Sequence, residues 1–271
     1  MSGSVRKTTL AVVLGMLAAA IFAGDPSRID TAVAGDASAP TVDTALVLAV
    51  DVSGSVNAAR FALQMEGIAR AFEDKEIQGA ILSGKHRSIV AALVEWSDRP
   101  VITVPWTLIA SADDARGFAH RIRTSQRGGE QFTCMGAALQ AIGDKVLPFV
   151  PAPPERVIID VSGDGSDNCN PRRAVDTVRD DLVAAGVTIN GLPILEGDEA
   201  TTLEQWYRDH VIGGRDAFLI PAAGFKDFER AMRSKFIVEI SLSPAPPPAP
   251  PFAGFAGTSK NGARPSRAAG S

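Results

Sequence analysis

The sequence predicts a doubly wound α/β fold of Rossmann-like plan, a mostly parallel central sheet with one antiparallel edge strand, on three observations. Short apolar runs alternate with helix-periodic segments from residue 44 to 240, the pattern that βαβ units write into a chain. Two of the runs, 88–96 and 101–105, are joined by a brief turn containing Asp98-Arg99-Pro100, too short for a parallel crossover, so they must pair antiparallel. The first and fourth runs lead into carboxylates, Asp51 and Asp164, at the carboxyl ends of strands, where open α/β sheets place their ligand crevice.

Taken in order, strands are expected at 44–51, 88–96, 101–105, 155–161, 187–194 and 216–220. The first helix starts from the cap Asn57, and Phe61, Met65, Ile68 and Phe72 recur at i, i+4, i+7 and i+11 as one stripe against the sheet. A further helix begins just after Thr133. Asn170 with Pro171 opens another, with Val175, Val178 and Leu182 facing inward and Gly186 ending it. A last helix spans about Phe225 to Phe236. No internal repeat is visible.

The two ends differ in composition from the middle and leave about 200 residues for one core. Arg6 and Lys7 precede the apolar run Leu10 to Ala23. At about 14 residues it falls short of the roughly 20 that a spanning helix needs. Residues 1–34 are therefore expected to be a secretory signal and spacer, cleaved near residue 23 or near residue 34, which sends the protein to the periplasm or the exterior. Residues 35–42 read as a linker and 43–241 as the folded domain. Residues 242–271 open on Pro244-Ala-Pro-Pro-Pro and continue rich in Gly, Ala and Ser; such a tail buries too little apolar area to fold and is expected to be disordered. The net charge of −4 comes from mixed acidic and basic residues, without the basic, aromatic-laced patch that nucleic acid requires.

The chemistry-bearing residues fall in three segments. In Asp51-Val-Ser53-Gly-Ser55 the alternation of a strand lets one carboxylate and two hydroxyls converge as the chain leaves the sheet. Oxygen ligands of this kind suit a hard divalent cation such as Mg²⁺ rather than zinc. Gly128-Gly-Glu-Gln-Phe-Thr133-Cys-Met-Gly136 delivers a threonine hydroxyl ahead of a helix. Ser162-Gly-Asp164-Gly165 closes an apolar strand with a carboxylate between glycines.

In this order, the three segments resemble the metal-ion-dependent adhesion site of the von Willebrand factor A-type domain, and the chain looks similar to a group of exported bacterial proteins of that type. Glu95-Trp96 and Pro105-Trp106 belong to the same resemblance. It implies that Ser53, Ser55 and Thr133 contact Mg²⁺ or Mn²⁺ directly, while Asp51 and Asp164 act through hydrogen bonds or water. It also implies a protein-binding module that grips an acidic side chain of its partner through the metal. On that fold Cys134 and Cys169 would share one rim of the sheet. Export would favour their bridging, the alternative being two free buried thiols.

Other readings stand beside this one. A hydrolase of phosphate esters could use the same metal, and a scaffold could use it only to stiffen loops. Against an enzyme, there is no Gly-x-Ser-x-Gly elbow and no phosphate-binding Gly-x4-Gly-Lys loop. His86, His120 and His210 lie on separate elements, as surface histidines do. Asp160 either extends the metal network or serves a structural hydrogen bond, with the structural role favoured. Asp167 and Asn168 are expected to shape their loop, and Trp96 and Trp106 to pack at the sheet edge.

Overall fold

The computed structural model describes residues 40–169 and 173–241; the expected signal segment, the proline-rich tail and the Asn170-Pro171 helix start lie outside them. The chain order is β1 (Val42–Asp51), α1 (Ala58–Glu73), α2 (Lys75–Ser83), β2 (Ile89–Trp96), β3 (Val101–Ile109), α3 (Ala112–Arg123), α4 (Met135–Lys145), β4 (Pro154–Gly163), α5 (Val175–Ala184), β5 (Val187–Pro193), α6 (Leu203–His210) and α7 (Phe228–Ser241). The five strands form one sheet ordered β3-β2-β1-β4-β5. All pairs are parallel except β2 with β3, so the expected antiparallel strand sits at an edge. Strand order reverses between β1 and β4, and their carboxyl ends carry Asp51 and Asp164.

Alternation along β1 explains the two layers. Leu46, Leu48 and Val50 point to one face and pack with Phe61, Met65, Ile68 and Phe72 of α1, Phe118 of α3 and Phe236 of α7. Val47 and Ala49 point to the other and pack with Leu139 of α4, Val178 and Leu182 of α5 and Tyr207 of α6. Burying both faces of a parallel sheet in this way accounts for the near-continuous apolar strands. The Asn57 cap is present: its Oδ1 accepts from the amides of Ala59 and Arg60 at 3.0 Å each.

Two expectations need correction. Residues 216–220 do not make a sixth strand; the segment pairs with β5 through one isolated bridge, Gly191 with Leu219, followed just beyond both by Ile194 with Ala222. Pro193 and Pro221 cannot donate to a ladder, Asp216 has a positive φ of 55°, and the Phe218 amide donates to the Asn190 side chain instead. The helix expected from Asn170 begins only at Val175. Residues 167–169 are tied to the Thr133 loop by hydrogen bonds and a disulfide. β3 also runs on to Ile109, and it accommodates Pro105 as edge strands do.

Asp160 takes the structural role. It points from β4 toward α7, where the buried Lys235 ammonium pairs with Asp160 and Glu239. Asn190 Nδ2 donates to Glu239 Oε1 at 2.6 Å. Burial, and then the neighbouring Glu239, hold the Asp160 carboxyl well above the usual range. This cluster lies on the sheet face opposite the one that Asp51 joins, which separates it from the candidate metal residues.

Candidate metal centre

The turn after β1 is built around Asp51. Its Oδ1 accepts from the Ser53 amide at 2.7 Å, and Gln64 of α1 donates to its backbone carbonyl at 3.1 Å. This Asx-type turn rotates the chain so that both serine hydroxyls face the crevice: Ser53 Oγ and Ser55 Oγ are 3.3 Å apart. Ser55 Oγ donates to Asp164 Oδ1 at 2.6 Å, joining the first segment to the third. Gly163 leaves room for the Asp51 carboxylate, since a Cβ there would lie 2.9 Å from Asp51 Oδ2 and 3.1 Å from the Tyr207 hydroxyl.

Thr133 is brought to the same place. A Cβ on Gly165 would lie 3.8 Å from Thr133 Oγ1. Asn168 Oδ1 accepts from the Thr133 amide at 2.8 Å, and the Asn168 amide donates to the Thr133 carbonyl at 3.0 Å. Asp167 Oδ1 accepts from the Gly136 amide at 3.0 Å. These two residues shape the loop, as their sequence position suggested. Cys134 and Cys169 are disulfide-bonded, with Cα atoms 5.1 Å apart, which excludes the alternative of free thiols. All five candidate residues, Asp51, Ser53, Ser55, Thr133 and Asp164, therefore converge at the strand-order reversal.

Electrostatics single out Asp51. It is fully buried, its Oδ2 has no hydrogen-bond partner, and burial pushes its carboxyl up to about 7 against the lowering pull of the Ser53 amide. Asp164 is raised too, by burial first, while the Ser55 hydroxyl and the Arg60 guanidinium pull it down. A buried carboxylate oxygen without a partner is costly, and a cation in front of it would relieve that cost. The hydroxyl spacing fits as well. Neighbouring ligands of an octahedral Mg²⁺ with bonds of about 2.0–2.1 Å stand about 2.9 Å apart, close to the 3.3 Å between the serine oxygens. No group of three or more His, Cys, Asp or Glu side chains arranged to hold a metal occurs among the described residues. The donors here are mainly hydroxyls, with two carboxylates behind them.

Several surrounding residues were not singled out from sequence. Tyr207 reaches from α6 to the Gly163 carbonyl, at 3.5 Å. Arg60 binds the Ser55 carbonyl at 2.6 Å and Glu196 at 2.7 Å, and stands 3.6 Å from Asp164 Oδ2. Arg127 donates to the carbonyls of Val52 and Ser53; its signal was the adjoining Gly128-Gly129 pair, which marks close backbone approach. The histidines stay apart from the site: His86 pairs with Glu155 at 2.8 Å, His120 is exposed on α3, and His210 lies against Trp206. Trp96 is buried at the end of β2, and Trp106 donates to the Val146 carbonyl at 3.1 Å.

Comparison with known proteins supports the fold. Proximal thread matrix protein 1 from the mussel byssus, in a structure with a zinc-occupied MIDAS motif, superposes with a TM-score of 0.55 at 15% identity, over 73% of this chain and 46% of that one. The vWF domain of the type V pili tip protein Mfa5 from Porphyromonas gingivalis gives 0.53 at 11% identity, over 76% of this chain and 98% of that one. The pilus adhesin SpaC from Lactobacillus rhamnosus GG gives 0.52 at 13%, over 73% and 31%. The chain thus spans about half the length of the mussel protein. No curated protein matches it. The fold is that of von Willebrand factor A-type domains, and because a family model matches residues 41–244, the chain belongs to the family described as Protein of unknown function (DUF1194).

Proposed function

We propose that the protein is an exported binding module that holds a divalent cation between Asp51, Ser53, Ser55, Thr133 and Asp164 and uses it to grip an acidic side chain of a protein partner. The observation that carries this reading is the placement of three hydroxyls beside two buried carboxylates, Asp164, which accepts from Ser55, and the fully buried Asp51, whose Oδ2 has no partner. Ser53, Ser55 and Thr133 would supply direct oxygen ligands, with Asp51 and Asp164 orienting them from behind. Bound there, the cation would supply a strong Lewis-acid position for one more oxygen, because neutral hydroxyls leave much of its charge uncancelled.

The residues themselves do the positioning. Asp51 orients the Ser53 amide, Asp164 accepts a hydrogen bond from the Ser55 hydroxyl, and Asn168 with the disulfide fixes the Thr133 loop. The donor set favours a hard cation, Mg²⁺ or Mn²⁺. Zinc belongs among the cations tested, given the zinc in the mussel protein's motif. Adhesin and pilus-tip neighbours support a binding role over a catalytic one. Export rests on the signal-like residues 1–34. Among the described residues, no helix is long and apolar enough to cross a membrane.

The test is capture of partners from the native envelope fraction on immobilised protein, with Mg²⁺ or with chelator, using wild type and Asp51→Ala. The reading expects a protein retained only by wild type and only with metal. Retention indifferent to both changes would refute it.

A further inference from the structure

The segment from Arg127 to Phe132 is fixed along the carboxyl end of β2 by side chains that accept from its backbone amides. Glu95 Oε2 accepts from Gly128 at 3.1 Å, and Ser97 Oγ from Glu130 at 2.9 Å. Asp98 Oδ2 accepts from both Gln131 and Phe132 at 2.8 Å. From this fixed segment Arg127 reaches the turn that bears the serines. Its Nη2 donates to the Val52 carbonyl at 2.7 Å and to the Ser53 carbonyl at 2.8 Å.

The backbone follows the side chain. A Cβ on Gly129 would lie only 1.7 Å from the Val52 oxygen, so glycine alone allows this approach. The Gly54 amide donates to the Gln131 carbonyl at 3.1 Å. The Ser53-Gly54-Ser55 turn is thus clamped on one side by Arg127 and the 128–131 backbone, and on the other by Asp51 and Asp164. Arg127 Nε and Glu95 Oε1 are buried without hydrogen-bond partners, so this guanidinium is held at a cost. Its two contacts to the serine turn are the interactions that offset that cost.

We infer that Arg127 is a positioning residue of the candidate cation site, and that by stiffening the Ser53 turn it makes the site select a small cation over a large one. The inference rests on the cation-binding reading above. Mg²⁺ requires near-ideal octahedral geometry, whereas Ca²⁺ tolerates six to eight ligands at longer and more variable distances. Loosening the turn should therefore penalise Mg²⁺ more than Ca²⁺. Lysine cannot reproduce the planar fork that spans adjacent carbonyls. Through charge alone the guanidinium would act the other way, since a positive group near the site repels any cation.

Calorimetric titration of the full chain with Mg²⁺, and separately with Ca²⁺, tests this in wild type, Arg127→Gln, Arg127→Lys and the charge-matched control Arg123→Gln, whose arginine pairs with Glu66 and Glu73 and not with the serine turn. The expected result is at least a tenfold loss of Mg²⁺ affinity in Arg127→Gln with a clearly smaller loss for Ca²⁺, a partial loss in Arg127→Lys, and no change in Arg123→Gln. If Arg127→Gln does not fold, the narrowed Mg²⁺ to Ca²⁺ ratio in Arg127→Lys carries the same expectation. An unchanged ratio, or tighter binding of both ions once the charge is removed, overturns the inference while leaving cation binding standing. Absence of saturable binding in wild type removes the underlying reading itself.

Discussion

Ser55 donates its hydroxyl to Asp164 Oδ1 at 2.6 Å, a contact between residues 109 positions apart that closes the crevice at the strand-order reversal. Its chemistry leaves the site open. The serine O–H points at the carboxylate, so the hydroxyl lone pairs lie away from it. The same contact shows why the carboxylates stand behind the hydroxyls: Asp51 and Asp164 are both raised by burial, and each is occupied in orienting a serine.

Gly163→Ala should damage the site from beneath. The added methyl would meet Asp51 Oδ2 at 2.9 Å and Asp51 Cβ at 3.0 Å, inside a packed region. Overpacking of this kind costs about 1–3 kcal/mol. Urea denaturation should show that loss, and titration should show weaker cation binding in the same variant.

The Cys134–Cys169 bridge closes a span of 35 residues. Replacing both cysteines by serine should lower stability by about 4 kcal/mol on the chain-entropy model, measured by urea midpoint. Alkylation of the unfolded, unreduced protein should label no thiol. Labelling of two would contradict the bridge.

Lys235→Met leaves Asp160 and Glu239 buried together without their cation. Stranding a buried charge in this way costs about 3–5 kcal/mol. The double variant Lys235→Met with Glu239→Gln strands one carboxylate fewer and should recover part of the loss. Equal midpoints for the two variants would show that the second carboxylate carries no charge in the fold.

Much of this architecture was legible because each signal was local. The Asp51, Ser53 and Ser55 spacing, the Asn57 cap and the Phe61-Met65-Ile68-Phe72 stripe are set within one element and its flanks. The sixth strand failed because β-pairing depends on a neighbour: the Asn190 side chain captures the Phe218 amide and only Gly191 bridges to Leu219, and neither shows in residues 216–220. Lys235 reads as a surface residue in sequence, although Asp160 inside an apolar strand demanded a partner, and Lys235 with Glu239 at i, i+4 could have offered one. Arg127 was missed because its targets are backbone carbonyls, and the adjoining Gly128-Gly129 pair signals only that two backbones approach closely, not which side chain joins them.

The acid limb of stability should involve Arg123, which joins α3 to α1 by pairing with Glu66 and Glu73. Hydrogen bonds from Arg123 lower both carboxyls below their ordinary 4.5. A lowered folded value contributes stability that is present above the unfolded value and lost as pH falls through the folded one. Since all three groups are more than one-third exposed, the contribution is at most about 1 kcal/mol. Wild type should exceed Arg123→Ala in urea midpoint at pH 7, and the gap should close as pH falls below 4.5 and through the lowered folded values of Glu66 and Glu73. A gap that is constant with pH would assign the effect to packing of the arginine stem.

The central claim is a cation held by Asp51, Ser53, Ser55, Thr133 and Asp164, and the most direct measurement is calorimetric titration of Mg²⁺ and Mn²⁺ into wild type, Asp51→Ala and Thr133→Ala, paired with melting curves. The account predicts one saturable site in wild type, a melting temperature that rises with occupancy, and about 2.7 kcal/mol of added stability at a hundredfold excess over Kd, with both responses lost in the two variants. Saturable binding of equal strength in all three proteins, or none in wild type, would contradict it.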